Sequence, residues 1–551
     1  KRRIRKTEEL LLNAEKFSTA ATLFGRKYPS EELDRSWKDL LFDDFHDIFP
    51  GSGIGVNYLD AKRNLEDVGR VGQEILDGAL DEIVENINVK GNGVPVVVFN
   101  SLSWARDEVV EVDVRLPEAA NSVLVVDAVG KPVASQVISA KRNTRRIRLL
   151  LKADVPAFGY STYYVRAAEK SAPASASVKA TADTLENEFV RVKVDAQTGC
   201  MTSLFDKHTG SEALAPAETD SGGPKDSICG NLLQTFRDKP KQWDAWNIDA
   251  DFEKEHWDLD KADEVTLIES GPLRAILRVK NHFQNSTFVR DIVVTAGSPR
   301  VDVNMTADWH EKHILLKVAM PLAAHNKTAT FEIPYGSIER PTTRNTRAEQ
   351  GKFEVPALQW ADLSDADHGL SLLNDCKYGY DAKGNVLRLS LLRSPEWPDP
   401  HADEGLHNFT YSLYAHGGNW KDALTVRQGY ELNYPLLSRQ TEKHAGSLPE
   451  RHSFLELKAE NVMLTAVKKA EEDGAVIYRF YEWAGKESDI VLRPDSGVAS
   501  AEETDLMERP VKTLDVGQDG VTVHTKPFEI KTVRLRLNNK QATGAGSRST
   551  Q

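Results

Sequence analysis

Residues Leu273–Trp309 read LRAILRVKNHFQNSTFVRDIVVTAGSPRVDVNMTADW and decide the fold class. The segments LRAILRV, FVRDIVVT and RVDVNMTADW are long and rich in Val, Ile and aromatic residues, with period-two alternation, as half-buried strands require. The same signal returns on both sides, in FVRVKV (189–194), TFEIPYG (330–336), VLRLSLL (386–392) and FTYSLYAH (409–416). So many long strands over residues 183–436, with almost no helical period, predict a large antiparallel β-sandwich.

Upstream the period changes. From Thr7 to about Lys90 apolar residues recur at helical spacing: Leu10, Leu11, Ala14, Phe17 and Ala21 in a first helix, and Trp37, Leu40, Leu41, Phe45 and Ile48 in a second. Leu59, Leu65, Val68, Ile75, Ala79 and Ile83 follow in a third. Tyr28-Pro29-Ser30 separates the first two, with Ser30 placed as an N-cap ahead of Glu31 and Glu32. Three helices with short joints over residues 1–90 predict an antiparallel three-helix bundle. Residues 91–166 return to short strands, from Val94–Phe99 to Ser161–Val165, and form a small β-domain. Residues 167–182, AAEKSAPASASVKATA, compose a linker. A last β-module spans 437–538, and NNKQATGAGSRSTQ (538–551) ends the chain in a segment disordered by composition from 539 onward. The fold class is therefore multidomain, a helical bundle followed by all-β domains.

Composition narrows the function. The 551 residues are 40% hydrophobic and 28% charged, ordinary for globular domains. Asp+Glu 83 against Lys+Arg 70 gives a net charge of −13, which argues against nucleic acid or an acidic membrane as the main partner. No apolar run is long enough to span a membrane. Cys200, Cys229 and Cys376 cannot build a disulfide framework, and none pair at zinc-ribbon spacing. The chain begins without Met at a helix start, from which a removed upstream segment is expected. Cytoplasm and periplasm or secretion fit the sequence equally.

No phosphate loop, dinucleotide fingerprint, nucleophile elbow or HExxH motif occurs, which leaves carboxylate and sugar chemistry. Phe45-His46-Asp47 stands at the end of the second helix before Pro50-Gly51-Ser52-Gly53, where both polar side chains can project past the helix into a cleft. Taken alone, a single His-Asp pair reads as a surface hydrogen bond or cap, because a catalytic zinc needs about three protein ligands. Trp243-Asp244-Ala245-Trp246-Asn247-Ile248-Asp249 sets tryptophans among acceptors, as pyranose recognition does, or as a packed loop does. Polar loops at 340–345, 377–381 and 393–399 complete the candidates.

Together these segments resemble one family. WKDLLFDDFHDIFPGSGI (37–54) resembles the helix-end motif of glycoside hydrolase family 38 α-mannosidases, and PVVVFNSLSW (95–104) the opening of the small β-domain behind it. LENEFVRVKVDAQTGCMTSLFDKHTG (185–210) is similar to the start of the family's mutarotase-like sandwich. WDAWNID, ADWHEKHILLKVAMPL, FEIPYGSIERPTTRNT, LLNDCKYGYDAKGNVLRLSLLRSPEWPDP and PFEIKTVRLRL continue the match in order. The resemblance implies that His46 is a zinc ligand and Asp47 a sugar-hydroxyl contact. It further implies sandwich loops that turn Trp243, Asp249, Tyr380 and Arg393 toward the sugar. Asp43-Asp44 stand where the family commonly has an amide pair.

The resemblance also implies that an α/β barrel carrying the nucleophile, the acid/base and the other zinc ligands lies upstream. No catalytic residue is then expected in this chain, which would be inactive alone. The implied activity of the whole enzyme is retaining, zinc-dependent hydrolysis of terminal α-mannosides in mannose-containing oligosaccharides. An uncovered barrel-facing surface would make the chain associate, a homo-oligomer included. A non-catalytic carbohydrate-binding or assembly module, or another sugar-active enzyme with a mutarotase-like sandwich, are the alternatives.

Overall fold

The computed structural model describes residues 1–140, 145–169, 178–218 and 229–538. The tail expected at 539–551 and half of the linker expected at 167–182 (residues 170–177) lie outside them. Three helices open the chain: α1 (Arg2–Ala21), α2 (Ser30–Asp43) and α3 (Gly55–Glu85). Helix α2 takes Glu31 and Glu32 into its first turn, but Ser30 is already helical and Pro29 holds the cap position.

Helix α1 is the central one. Leu11, Ala14, Phe17 and Ala21 are wholly buried, and Glu9, Asn13, Glu15 and Lys16 are largely buried too. A helix buried on its polar side as well must pack against more than its own bundle. The second side is supplied by the C-terminal module, whose Val462, Leu464, Phe480 and Leu492 share one continuous apolar core with Phe17, Leu76 and Ile83. Bundle and module are therefore not separate cores, as helical periodicity alone suggests. Two of these buried polar groups have partners on other elements. The Glu15 carboxylate accepts the Trp37 indole N–H at 2.9 Å, and the Lys16 ammonium donates to the Ser101 carbonyl at 3.3 Å.

The small β-domain is a sandwich in which Val94–Asn100 pairs with Gly159–Ala167 on one side and Leu437–Gln440 on the other. Arg451–Ser453 also pairs with Gly159–Ala167. Chain beyond residue 436 thus returns to complete this sheet before the last module begins. In the large sandwich, Arg274–Phe283, Ser286–Thr295 and Val301–Trp309 are consecutive antiparallel neighbours in a nine-stranded sheet. Its inward positions, among them Leu277, Ile292, Val303, Trp309 and Tyr411, meet a six-stranded sheet carrying Leu316, Val318 and Leu389 in one core. One disulfide, Cys200–Cys229, ties two loops of this domain with Cα atoms 5.2 Å apart. A single bridge is less than a framework, but the cysteine spacing did not reveal it. Cys376 is buried and free.

The helical expectation is corrected where α2 meets α3. Helical spacing groups Leu41, Phe45 and Leu59 with the apolar residues that build the bundle core, yet they are 60%, 52% and 57% exposed. With Phe42, Ile54 and Val56, also exposed, they form an apolar band that no described residue covers.

Candidate functional site

Helix α2 stops at Asp43, and residues 44–51 continue as successive turns rather than helix. The Ile48 and Phe49 amides both donate to the Phe45 carbonyl, at 2.9 and 3.0 Å, and the Ser52 amide to that of Asp47 at 3.2 Å. Gly51 turns the chain with φ +96°, a left-handed conformation that a side chain resists. His46 and Asp47 therefore sit on a tight surface turn just past the helix end, not on the helix.

The imidazole of His46 is largely exposed, with Nε2 3.6 Å from Asp47 Oδ2, and its ring centroid lies 4.1 Å from that of Phe45. Asp47 is better tethered. Its Oδ1 accepts the Ser52 hydroxyl at 3.2 Å and the Trp246 indole N–H at 3.3 Å, while its carbonyl accepts the Tyr58 hydroxyl at 3.2 Å. Tyr58 in turn accepts the Gly53 amide at 2.7 Å, which locks the Gly-rich loop to the start of α3. A side chain at Gly55 would press on the Asp399 carboxylate at 3.3 Å, so the loop at 399 abuts this turn. Beside it, burial raises the Asp43 carboxyl and pushes that of Asp44 up to about 6.

The sandwich loops reach the same place. Arg393 clamps the 243–247 loop: its guanidinium pairs with the buried Asp238 carboxylate and donates to the carbonyls of Asp244 at 2.7 Å, Ala245 at 3.1 Å and Asn247. Asp244 Oδ2 accepts the Glu396 and Trp397 amides at 2.8 and 3.1 Å and faces His313 Nε2 at 3.1 Å. Two loops about 150 residues apart in the chain become one rigid edge beside Asp47.

Of the expected site residues, the zinc-ligand candidate His46 and the sugar-contact candidates Asp47 and Trp243 lie on this edge and are accessible. Two others are committed to structure. Arg393 has its donors engaged in the clamp, and Asp249 accepts from the Lys241 amide and the Asn247 side chain, each at 3.1 Å, within its own loop. Tyr380 is a correction. It lies on the strand Gly379–Lys383, wholly buried, its hydroxyl accepting from Asn374 at 2.7 Å and donating to the Leu372 carbonyl at 3.1 Å. The loop expected at 377–381 is a core strand from Gly379 onward, and only Tyr378 leans toward the site, its ring 5.1 Å from that of Phe49. Trp246, Trp397 and Ser52 stood in the candidate stretches without a role of their own, and Tyr58 is a site residue the sequence reading missed. The two tryptophans of 243–249 and the one in 393–399 were the available signal. Among the described residues, no group of three or more His, Cys, Asp or Glu side chains could hold a metal ion.

Family models match three stretches of the chain: the α-mannosidase middle domain over residues 1–83, the glycosyl hydrolases family 38 C-terminal domain over 185–401, and the family 38 C-terminal β-sandwich domain over 461–533. Alpha-mannosidase 2C1 of Mus musculus is 31% identical over 549 residues, covering 97% of this chain and 48% of its own length. Alpha-mannosidase G of Dictyostelium discoideum is 29% identical, covering 96% and 50%. The crystal structure of an α-mannosidase from Enterococcus faecalis V583 has the same fold, with a TM-score of 0.82 at 19% identity over 97% of this chain and 66% of that one. These matches put the chain among the glycoside hydrolases. It belongs to family 38, whose α-mannosidases it resembles from end to end, and it spans about half the length of the curated relatives it matches.

Proposed function

We propose that the protein to which this chain belongs hydrolyses terminal α-mannosides with retention and depends on zinc, and that this chain contributes one zinc ligand, His46, and one sugar contact, Asp47. The observation that carries the reading is the turn at residues 44–53. It holds an accessible imidazole and a tethered carboxylate side by side on a surface bordered by apolar side chains. A lone imidazole binds zinc too weakly to hold a site, so the donor set fits one ligand of a centre whose other ligands come from elsewhere in the protein. Zinc bound there would template the sugar's vicinal hydroxyls and act as a Lewis acid. Asp47, with Oδ1 held by Ser52 and Trp246, keeps acceptor capacity on Oδ2 for a sugar hydroxyl.

Retaining hydrolysis uses two carboxyl groups about 5–5.5 Å apart. Both are proposed to lie outside these residues, in a catalytic domain resting on the exposed band of Leu41, Phe42, Phe45, Ile54, Val56 and Leu59. The matched names of the relatives and the 48% share of the mouse protein's length support that arrangement. The test is His46→Ala in the intact protein. Zinc content and aryl α-mannosidase activity should both fall to background while the melting temperature holds. Normal zinc and activity in that variant would remove His46 from the site.

A further inference from the structure

Beside Asp47 three tryptophans gather that the zinc and hydroxyl contacts do not use. Trp243, Trp246 and Trp397 are 63%, 48% and 53% exposed, unusual for the largest apolar side chain. Their ring centroids lie 6.4 Å (Trp243–Trp246), 6.3 Å (Trp243–Trp397) and 5.2 Å (Trp246–Trp397) apart, at interplanar angles of 89°, 52° and 50°. The rings meet edge to face or tilted rather than stacked in parallel, so a large part of each indole stays open to solvent.

The platform is held rigidly. Trp243 adopts φ +62°, a conformation that is strained for a non-glycine residue and persists only where its surroundings impose it. Here they do: the Arg393 clamp holds the carbonyls on one side, and Asp244 caps the Glu396 and Trp397 amides on the other. The Trp246 indole N–H points at Asp47 Oδ1, which registers the platform against the His46-Asp47 turn. Carboxylates flank it: Asp47 accepts the Trp246 indole N–H, and Glu396 and Asp399 border Trp397 in the chain. An open indole face bordered by hydroxyl acceptors matches a pyranose, which has an apolar C–H face and a polar rim.

We propose that Trp243, Trp246 and Trp397 form a stacking subsite for the sugar next to the one held at His46-Asp47. This rests on the function proposed above. An enzyme that removes terminal mannosides has neighbouring sugars only on the leaving-group side, so the subsite takes the first sugar of the leaving glycan. The substrate class it selects is a mannose-terminated oligosaccharide rather than a small glycoside.

The experiment is a titration of the 551-residue chain with α-linked mannobiose, read by intrinsic tryptophan fluorescence and by calorimetry, with methyl α-mannoside alongside. Mannobiose should give a saturable change, and Trp243→Ala and Trp397→Ala should each weaken it by roughly tenfold, the worth of one aromatic stacking contact. Trp243→Phe and Trp397→Phe should stay within about threefold, because a face remains. Unchanged melting temperatures would show that the alanine variants fold. No saturable change, or an affinity unaltered in both alanine variants, would overturn the subsite. The readout is binding and not turnover. Loss of binding beside intact zinc-dependent hydrolysis by the whole protein therefore refutes the platform alone, and binding without any hydrolysis refutes the catalytic reading alone.

Discussion

Arg393→Ala separates a clamp from a substrate contact. In the structure the guanidinium is mostly buried and its partner Asp238 almost wholly so, with side-chain exposures of 19% and 1%. Besides the ion pair it donates to three backbone carbonyls of the 244–247 loop. Removing one partner of a buried pair leaves an uncompensated charge and costs about 3–5 kcal/mol. At about 2–4 °C per kcal/mol for a domain of this size, the sandwich should melt roughly 6–20 °C lower.

The loss should depend on pH with a definite sign. Burial already holds the Asp238 carboxyl above its ordinary value even though Arg393 pulls it down. Without Arg393 the burial and the neighbouring Asp244 carboxylate still push upward, so the folded-state value rises further. Such a carboxyl destabilises when ionised, so the deficit of the variant should be largest near neutrality and should shrink as the pH falls through the raised value. Arg393→Lys should recover only part of the stability, because one ammonium cannot span a carboxylate and three carbonyls. Differential scanning calorimetry of the chain between pH 4 and 8 is the assay. A variant that melts with the wild type at neutral pH, while losing sugar binding or activity, would refute the clamp and restore Arg393 as a direct sugar contact.

The junction between α1 and the C-terminal module should carry its own pH dependence. Burial pushes Glu15 up to about 7 from an ordinary value near 4.5, so the unfolded chain releases this proton first and stability should fall progressively between those two values and level off above. Glu15→Gln, which keeps an acceptor for Trp37, should flatten that slope in chemical denaturation, and an unchanged slope would show that Glu15 titrates normally. The exposed band should make the chain associate: Leu41→Asp together with Leu59→Asp should shift light-scattering mass toward the monomer at unchanged melting temperature. Equal association in the double variant would show that this face is not the sticky one.

Much of this protein was legible along the chain because the features concerned are local. Period-two alternation in 273–309 depends only on which face of a strand each residue takes, and the structure places those segments as neighbouring strands of one sheet. The helical bundle at the N-terminus was readable for the same reason, as was the FHD motif before a Gly-rich loop. What misled were inferences from period to environment. Leu41, Phe45 and Leu59 have helical spacing, but spacing says which residues share a face and not whether anything covers it. Tyr380 and Arg393 have the chemistry of sugar contacts, but one points into the sandwich core and the other is spent on Asp238 and loop carbonyls.

Only the tertiary structure decided which distant segments meet. It seats α1 against strands some 450 residues downstream, and closes the small sandwich with Leu437–Gln440. It also draws Trp243, Trp246 and Trp397 together beside Asp47. The sequence by itself determined the elements and the class of chemistry, because propensity and residue type act over a few positions. The site is different: it is assembled by packing between domains, and the free energy of that packing belongs to pairs of surfaces that no single stretch of sequence contains.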